Sequence, residues 1–424
     1  MAQTKTKNSG PKIAGLPARR AALRMLDAVM RRGETLDQAE KSALSGVNAP
    51  ADRALARAIV GETLRWLTDL DALIDSATKK NLPDDAKARS VLRLMLAQAL
   101  RLETPGHAVV ATGLGLLAGG PRKLAHGVFS ALMKREVSLP QVPTLPDRVL
   151  ARWEARADII APGLIHPPEV DLAMKVRSEA KTRALTMGGV SLAPGHVRLP
   201  RGTPIEQMPG FDEGAWWVQD LAAQIAPALL GEGSGKRALD LCAAPGGKTL
   251  ALAAAGWRVT ALDISEKRLE MLRENLGRTG LEAEIVKANA LTYTPVAPFD
   301  AILLDAPCTA TGTARRHPDV LHRVGPRQIG ETTELQQSLI YQAAEWLPKG
   351  GTLLYAVCSL ETEEGEDQAA WAEETFDLKR VPITADELPA GLQPTKEGWL
   401  RTHPGMLADE GGLDGFFMAR WVKV

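Results

Sequence analysis

The stretch Leu239-Asp240-Leu241-Cys242-Ala243-Ala244-Pro245-Gly246-Gly247-Lys248-Thr249 decides the fold. It follows the apolar segment 237–241, which has the pattern of a strand, and it leads into an apolar helix from Thr249. Small residues at such a junction let the backbone approach a ligand at the amino end of the helix. The stretch therefore predicts a ligand-binding turn between a strand and a helix.

Strand and helix patterns alternate beyond this turn. Further strands are predicted at 258–262, 283–287, 300–304 and 351–357. Helices are predicted at 266–277, with Ser265 as a candidate N-cap, and at 326–346. Such alternation is typical of a doubly wound α/β, Rossmann-like sheet with helices on both faces. Its ligands bind at the carboxyl ends of the strands.

The part before the turn has a different organisation. Apolar residues recur at helical spacing through 17–137, which predicts five to seven helices. A Pro-dotted stretch and a linker helix at 147–160 follow, and then a short, mixed, Gly/Pro-rich segment. We therefore predict a multidomain chain with four segments: an all-α domain at 1–140, a linker at 141–165, a small α+β module at 166–212 and the α/β domain at 213–424.

Charge is unevenly spread along a chain whose net charge is zero. Residues 1–140 carry 22 Lys and Arg against 13 Asp and Glu, a net charge of +9. This excess indicates a polyanionic partner, although a solvated helical surface would explain it equally well. The sequence has no apolar run long enough to span a membrane, and the opening MAQTKTKNSGPK lacks the apolar core of a signal peptide. We expect a cytoplasmic protein without a membrane partner.

Two alternatives compete for the Gly-rich turn. A phosphate-binding loop requires Gly-x4-Gly-Lys-Thr, but Cys242 occupies the position of the first glycine. Asp263, about twenty residues beyond the turn, stands where dinucleotide-type folds place an acid on the ribose, unless it is a surface acid that leads the next helix. These features favour a nucleoside cofactor and do not separate NAD from S-adenosylmethionine.

Three cysteines occur, which is too few for a disulfide framework, and no CxxC or His cluster indicates zinc. Two of them, Cys308 and Cys358, follow the predicted fourth and fifth strands. These strands should be neighbours roughly 5 Å apart, which would bring both thiols to the ligand-binding edge. A lone cytosolic cysteine is more often a small buried hydrophobe, but two at this edge are unusual for core filler.

The segments LDLCAAPGGKT, DAPCTATGTARRHPD and YAVCSLETEE, in this order and spacing, resemble the RNA cytosine-5 methyltransferase superfamily. GAWWVQD (214–220) and LDGFFMA (413–419) resemble the segments that open and close its catalytic domain. The helical first domain resembles the NusB-like RNA-binding domain. This arrangement resembles that of enzymes that methylate 16S ribosomal RNA.

The resemblance implies S-adenosyl-L-methionine as cofactor and no metal. By the same resemblance, Asp263 would lie at the ribose of the cofactor and Arg268 nearby. The cofactor would be lined by Cys242, Ala243, Ala244, Pro245, Gly246, Gly247 and Lys248. Asn289 stands where the family has an aspartate beside the adenine, and its carbonyl can still accept a hydrogen bond. Asp305, also counted in the cofactor site, would reach the cytosine.

In the family the cysteine after the fifth strand attacks carbon 6 of cytosine and the one after the fourth assists release. The resemblance thus implies Cys358 as nucleophile and Cys308 in release, with Asp305 as the third catalytic residue. We also expect Arg315-Arg316-His317 to clamp RNA around a base flipped out of its stack, unless they are a solvated surface cluster.

The expected activity is methyl transfer to one cytosine of 16S ribosomal RNA, free or in early assembly, by a monomer. Three alternatives remain: the same chemistry on transfer RNA, a non-catalytic RNA-binding assembly factor, and a P-loop ATPase.

Overall fold

The computed structural model describes residues 14–424, so the opening segment MAQTKTKNSGPK lies outside the described residues. The chain forms two compact units. The first runs to Leu150 and includes His317–Arg323, and the second comprises Ala151–Arg316 and Val324–Val424. The four-segment division by sequence remains a prediction.

Seven helices make up 16–134 of the first unit, at the upper end of the predicted number. They are α1 (Leu16–Arg32), α2 (Leu36–Ala43), α3 (Pro50–Arg65), α4 (Leu67–Ser76), α5 (Lys87–Leu100), α6 (Gly106–Leu114) and α7 (Gly119–Lys134). Helix α5 is buried along most of its length, and α1, α3, α4, α6 and α7 pack against it. Its buried Arg93 makes a two-pronged ion pair with Asp71 of α4, so the charge of Arg93 is neutralised inside the helical unit.

The segment His317–Arg323 belongs to this helical unit although it lies far along the chain. The carboxylate of Asp319 accepts a hydrogen bond from the Leu36 amide at 3.3 Å. Nε2 of His322 lies 2.7 Å from the Leu64 carbonyl. Burial lowers the pKa of His322 to about 4, so the ring is neutral at pH 7 and Nε2–H donates this bond.

Two short helices, α8 (Asp147–Trp153) and α9 (Arg156–Ile160), replace the single predicted linker helix. A three-stranded antiparallel sheet follows, formed by β1 (Val170–Met174), β2 (His196–Leu199), β3 (Trp216–Val218), with α10 (Ala180–Met187) between β1 and β2. Asp171 of β1 is buried, which by itself would raise its pKa. Arg198 and His196, which both lie beside its carboxylate, together outweigh burial and hold the pKa of Asp171 well below its usual range.

The large sheet of the second unit is the predicted doubly wound sheet, with the order β10-β11-β8-β7-β4-β5-β6 and β9 beside β11. Its strands are β4 (Arg237–Leu241), β5 (Arg258–Asp263), β6 (Glu284–Lys287), β7 (Ala301–Asp305), β8 (Thr352–Val357), β9 (Leu378–Arg380), β10 (Leu400–Arg401) and β11 (Phe417–Lys423). Its helices are α11 (Leu221–Ala228), α12 (Gly247–Ala254), α13 (Glu266–Thr279), α15 (Pro326–Trp346) and α16 (Glu366–Thr375); α14 (Val320–Arg323) lies in the helical unit.

Strands β4 to β8 are parallel, as expected, and β11 adds an antiparallel neighbour to β8. Parallel strands covered on both faces require apolar residues throughout, and Ile302, Leu303 and Leu304 of β7 are all buried. The carboxyl ends of β4, β5, β7 and β8 meet at one edge of the sheet, where the chain places its polar and thiol groups. Within residues 14–424, no helix is both long and apolar enough to cross a lipid bilayer.

Candidate active site

The Gly-rich turn connects β4 to α12, as the sequence predicts. Gly246 caps α12 at φ 111°, and a Cβ there would lie 2.2 Å from the Leu272 side chain, so the position requires glycine. A cavity of about 360 Å³ lies over the turn. Its lining includes Ala243, Ala244, Pro245, Gly246, Gly247, Lys248, Asp305 and the aromatic rings of Phe211 and Trp217. This cavity has the size and mixed lining of a small-molecule site.

Asp263 ends β5 and is buried beside the turn. Its carboxylate accepts hydrogen bonds from the amides of Ala244 at 3.1 Å and Ser265 at 2.8 Å. Arg268 lies 3.7 Å from this carboxylate and donates to the carbonyl of Ala244. Asp263 and Arg268 therefore fix the conformation of the turn, and each Asp263 oxygen keeps a lone pair for a further donor.

Asn289 follows β6 at the same edge of the sheet and is exposed. Its side-chain oxygen accepts a hydrogen bond from the Leu291 amide at 3.0 Å. One lone pair of that oxygen and the amide hydrogens remain available to a ligand.

Lys248 is directed from the turn towards Asp305 at the end of β7. Its Nζ lies 2.7 Å from Asp305 Oδ2 and 5.4 Å from the centre of the Phe416 ring. Burial alone would lower the pKa of Lys248, but Asp305, together with Cys358 and Asp240, holds it above its usual range. The sequence predicts Lys248 as part of the cofactor lining and misses its pairing with Asp305.

The two predicted thiols lie together. Strands β7 and β8 are hydrogen-bonded parallel neighbours, and the sulfur atoms of Cys308 and Cys358 lie 3.4 Å apart. Both side chains are partly exposed. The hydrogen bond with Cys358, and then burial, raises the pKa of the Cys308 thiol well above its usual range. Cys308 therefore keeps its proton and can donate it to the sulfur of Cys358.

The third cysteine, Cys242, differs from this pair. It adopts a left-handed backbone conformation with φ 67° in the Gly-rich turn. Burial, followed by the neighbouring Asp263 carboxylate, raises the pKa of the Cys242 thiol well above its usual range. Cys242 is thus a neutral thiol at pH 7 and suits a lining role.

Glu364 is a site residue that the sequence analysis misses. It is fully buried, and its carboxylate accepts hydrogen bonds from the residues that follow each thiol, Thr309 and Ser359. The signal available was its place in the run Glu361-Thr362-Glu363-Glu364 after Cys358, but such acidic runs usually form solvated turns.

The expected clamp at Arg315-Arg316-His317 has a different structure. Arg315 is buried, and both arginines form ion pairs with the carboxylates of Asp220 and Asp414. Burial alone would lower the pKa of Arg316, but the carboxylates of Asp414 and Asp220 outweigh burial and raise this pKa. His317 lies in the helical unit, 3.8 Å from Asp37. For Arg315 the interpretation as a phosphate clamp is wrong, because its charge is already neutralised inside the fold.

Comparison with other proteins agrees with this architecture. Residues 227–422 match the family model of the 16S rRNA methyltransferase RsmB/F, and residues 16–116 match the NusB family. The ribosomal RNA small subunit methyltransferase B of Pseudomonas syringae pv. tomato is 32% identical over 444 residues, which cover 96% of this chain and 97% of that protein. This chain belongs to the RsmB/F family of 16S rRNA methyltransferases. The same-named protein of Pseudomonas putida is 33% identical over 96% of this chain and 98% of its own length.

The RsmB/F relationship agrees with the solved structures. The crystal structure of PH0851 covers 99% of this chain and 100% of its own, with a TM-score of 0.71 and 22% identity, which shows a shared fold. The predicted NusB-like helical domain followed by a Rossmann-like methyltransferase domain is therefore confirmed. Within residues 14–424, no group of three or more His, Cys, Asp or Glu side chains is arranged to hold a metal ion.

Proposed function

We propose that this RsmB/F protein transfers a methyl group from S-adenosylmethionine to carbon 5 of a cytosine in 16S ribosomal RNA, with Cys358 as the nucleophile. The observation that carries the proposal is the pair of thiols 3.4 Å apart at the sheet edge, where the Lys248–Asp305 pair also lies. A methyltransferase acting on a nucleophilic nitrogen or oxygen needs no thiol, whereas cytosine carbon 5 must first be activated by addition at carbon 6.

The residues over the Gly-rich turn fit S-adenosylmethionine. The cavity of about 360 Å³ joins an apolar wall, formed by Phe211 and Trp217, to the carboxylate of Asp305. Residues 242–248 would hold the cofactor through their backbone, and Asp263 would accept from its ribose with the lone pairs that the turn leaves unused. Asn289 and Arg268 would lie beside the nucleoside. When bound, the cofactor supplies an electrophilic methyl group on a sulfonium.

The thiol pair divides the covalent work. The Cys358 thiolate adds its electron pair to carbon 6 of cytosine, and the electrons of the C5–C6 double bond move through C4 towards N3. Cys308, which keeps its proton, stabilises the thiolate by donating its S–H before the attack. Carbon 5 thereby becomes nucleophilic and takes the methyl group.

Asp305 and Lys248 act on the base. Negative charge develops at N3 and O2 of cytosine as sulfur adds to carbon 6, and a preorganised donor or cation lowers that barrier. The Lys248 ammonium stabilises this charge, and Asp305, which is hydrogen-bonded to it, relays a proton from Lys248 to N3 as the charge on N3 develops, which leaves Lys248 neutral. The pair thus supplies a proton at the atom where the charge arises.

Release requires the carbon 5 proton to leave. A base removes this proton, the C5–C6 double bond re-forms, and the Cys358 sulfur departs with its electron pair. Cys308, which keeps its proton, lies next to that sulfur, so we assign it to this step as the donor to the leaving thiolate.

RNA recognition is assigned in part to the NusB-family domain. Arg20 and Arg24 are exposed and four residues apart on α1, so they share a face of that helix. Such basic faces bind phosphates in a salt-dependent way. The target base must leave its stack to reach the thiols at the sheet edge, which favours a loop or an unpaired strand as substrate.

Bisulfite sequencing of 16S RNA tests the proposal. Unmodified 16S RNA is incubated with the protein and S-adenosylmethionine, and the control reaction omits the cofactor. We expect one cytosine to become resistant to conversion only in the complete reaction. Methyl incorporation at a nitrogen or oxygen, with every cytosine still converted, would refute the assignment to carbon 5.

A further inference from the structure

The residue that joins the two thiol-bearing loops is Glu364, which no part of the methyl-transfer scheme uses. It lies six residues beyond Cys358 and is fully buried. The amide and hydroxyl of Thr309, directly after Cys308, donate to its two carboxylate oxygens. The hydroxyl of Ser359, directly after Cys358, donates to the same oxygen as the Thr309 hydroxyl.

Helix α15 anchors this carboxylate from a third direction. Thr332 donates its hydroxyl to Glu364 Oε1 at 2.6 Å, and Gln336 donates its amide to the same oxygen at 3.1 Å. The amide nitrogen of Gln336 also lies 2.9 Å from the carbonyl of Pro307, the residue before Cys308. The residues on both sides of Cys308 are therefore tied to the Glu364 network.

These donors are matched to a carboxylate. An ionised carboxylate only accepts hydrogen bonds, whereas the amide of glutamine would present donor hydrogens to groups that already donate. At Oε1 one partner is a backbone N–H, which cannot reverse its role. The hydroxyls of Thr309 and Ser359 can rotate, so they could accept hydrogen bonds from the amide nitrogen of a glutamine. They would then no longer donate to the side chain at position 364.

We propose that Glu364 is a positioning residue that sets the separation of the Cys308 and Cys358 sulfurs. It holds the residue after each cysteine on one buried carboxylate. The inference deepens the proposed function and rests on it for the catalytic consequence, because attack and release by neighbouring thiols depend on their spacing. A displacement of about 1 Å at reacting groups costs on the order of 100-fold in rate.

The first test reads thiol geometry without RNA or cofactor. Diamide oxidises two neighbouring thiols to a disulfide and takes up their two hydrogens, and peptide mapping by mass spectrometry identifies the Cys308–Cys358 cross-link. We expect Glu364→Gln to form this cross-link about tenfold more slowly than the wild type, because the sulfurs separate when the carboxylate is lost. This result is independent of whether the protein methylates carbon 5.

The second test reads turnover at a temperature well below the melting point of each variant. Glu364→Gln should lower kcat about 10- to 100-fold, with the KM for S-adenosylmethionine within about twofold of the wild type. A purely structural role would instead alter cofactor affinity and melting temperature together, without a selective loss of kcat. Should the wild type methylate no cytosine carbon 5, the proposed function fails while the cross-linking result still judges the positioning role.

Glu361→Gln is the matched control. Glu361 is an equally buried acid in the same loop, and its carboxylate bonds with Arg152 and Trp153 and not with a residue next to a thiol. If Glu364→Gln does not fold, Ser359→Ala removes one donor from the Cys358 side and should slow cross-linking several-fold. Wild-type cross-linking in the folded Glu364 or Ser359 variant, or an equal loss in Glu361→Gln, would overturn the inference.

Discussion

Lys248 Nζ and Asp305 Oδ2 lie 2.7 Å apart, and this contact joins the Gly-rich turn after β4 to the end of β7. Lys248 is buried, whereas about a third of the Asp305 side chain is exposed. A buried ammonium beside an accessible carboxylate places a fixed positive charge close to the atoms that a base would contact. The contact therefore connects the Gly-rich turn with the chemistry proposed at the thiols.

Removing the charge of Lys248 tests that connection. Lys248→Met keeps the length and apolar contacts of the side chain but lacks the ammonium that, in the proposed mechanism, offsets charge on the cytosine ring. We expect kcat to fall about 100-fold or more, the range found when one preorganised donor is lost. Steady-state kinetics with 16S RNA measures it, and Lys236→Met, an exposed lysine before β4, is the control. An unchanged kcat in Lys248→Met would remove the residue from the reaction.

Asp240, at the buried end of β4, makes the stability dependent on pH. Burial raises the pKa of Asp240 from 3.8 to about 7, although a hydrogen bond from Thr249 opposes the rise. Between pH 3.8 and about 7, Asp240 therefore holds a proton in the folded state that it has lost in the unfolded state. Its stabilising contribution is complete below pH 3.8 and is lost as the pH rises through 7, by at most about 1.4 kcal/mol per pH unit.

Asp240→Asn should abolish that contribution, because the amide does not titrate. We expect the melting temperature of the variant to rise relative to the wild type as the pH increases from 4 to 7. Thermal unfolding across this range measures the difference, and Asp409→Asn, at an exposed position, serves as the control. A difference that is independent of pH would show that Asp240 is ionised in the fold.

The order of elements was predictable because local signals agree with the fold. Helix α15 spans Pro326–Trp346, as predicted. The proline in its first turn marks where the helix begins, and the helical spacing of its apolar residues continues towards its end. The thiol pair followed from the same reasoning, because parallel neighbouring strands bring Cys308 and Cys358 to one edge.

The sequence does not reveal hydrogen-bond and ion-pair partners that come from distant parts of the chain. Arg315 looks like a phosphate ligand until Asp414, about a hundred residues later, is seen to bind it. Glu364 looks like a solvated acid until its donors from the loop after β7 and from α15 are in place. In both cases charge is visible in the sequence, whereas burial and pairing depend on tertiary contacts.

The exposed arginines of α1 are expected to contribute to RNA affinity. Arg20→Gln combined with Arg24→Gln removes two charges, and each lost phosphate contact lowers the salt dependence of binding. We expect the slope of log affinity against log salt to fall by about 2, with unchanged affinity for S-adenosylmethionine. Point substitutions suit this test better than deletion of the domain, since His317–Arg323 is part of the helical unit. An unaltered slope would make this face a solvated surface only.

The last prediction separates the roles of the two thiols. Cys358→Ala cannot form the bond to carbon 6 and should lose turnover without a covalent product. Cys308→Ala should still attack and methylate but release the RNA poorly, so a protein–RNA species should survive denaturing electrophoresis. Labelled 16S RNA and labelled cofactor on the same gel show whether the trapped species carries the methyl group. A trapped species in Cys358→Ala but not in Cys308→Ala would exchange the roles of the two cysteines, and full turnover by both variants would rule out covalent catalysis.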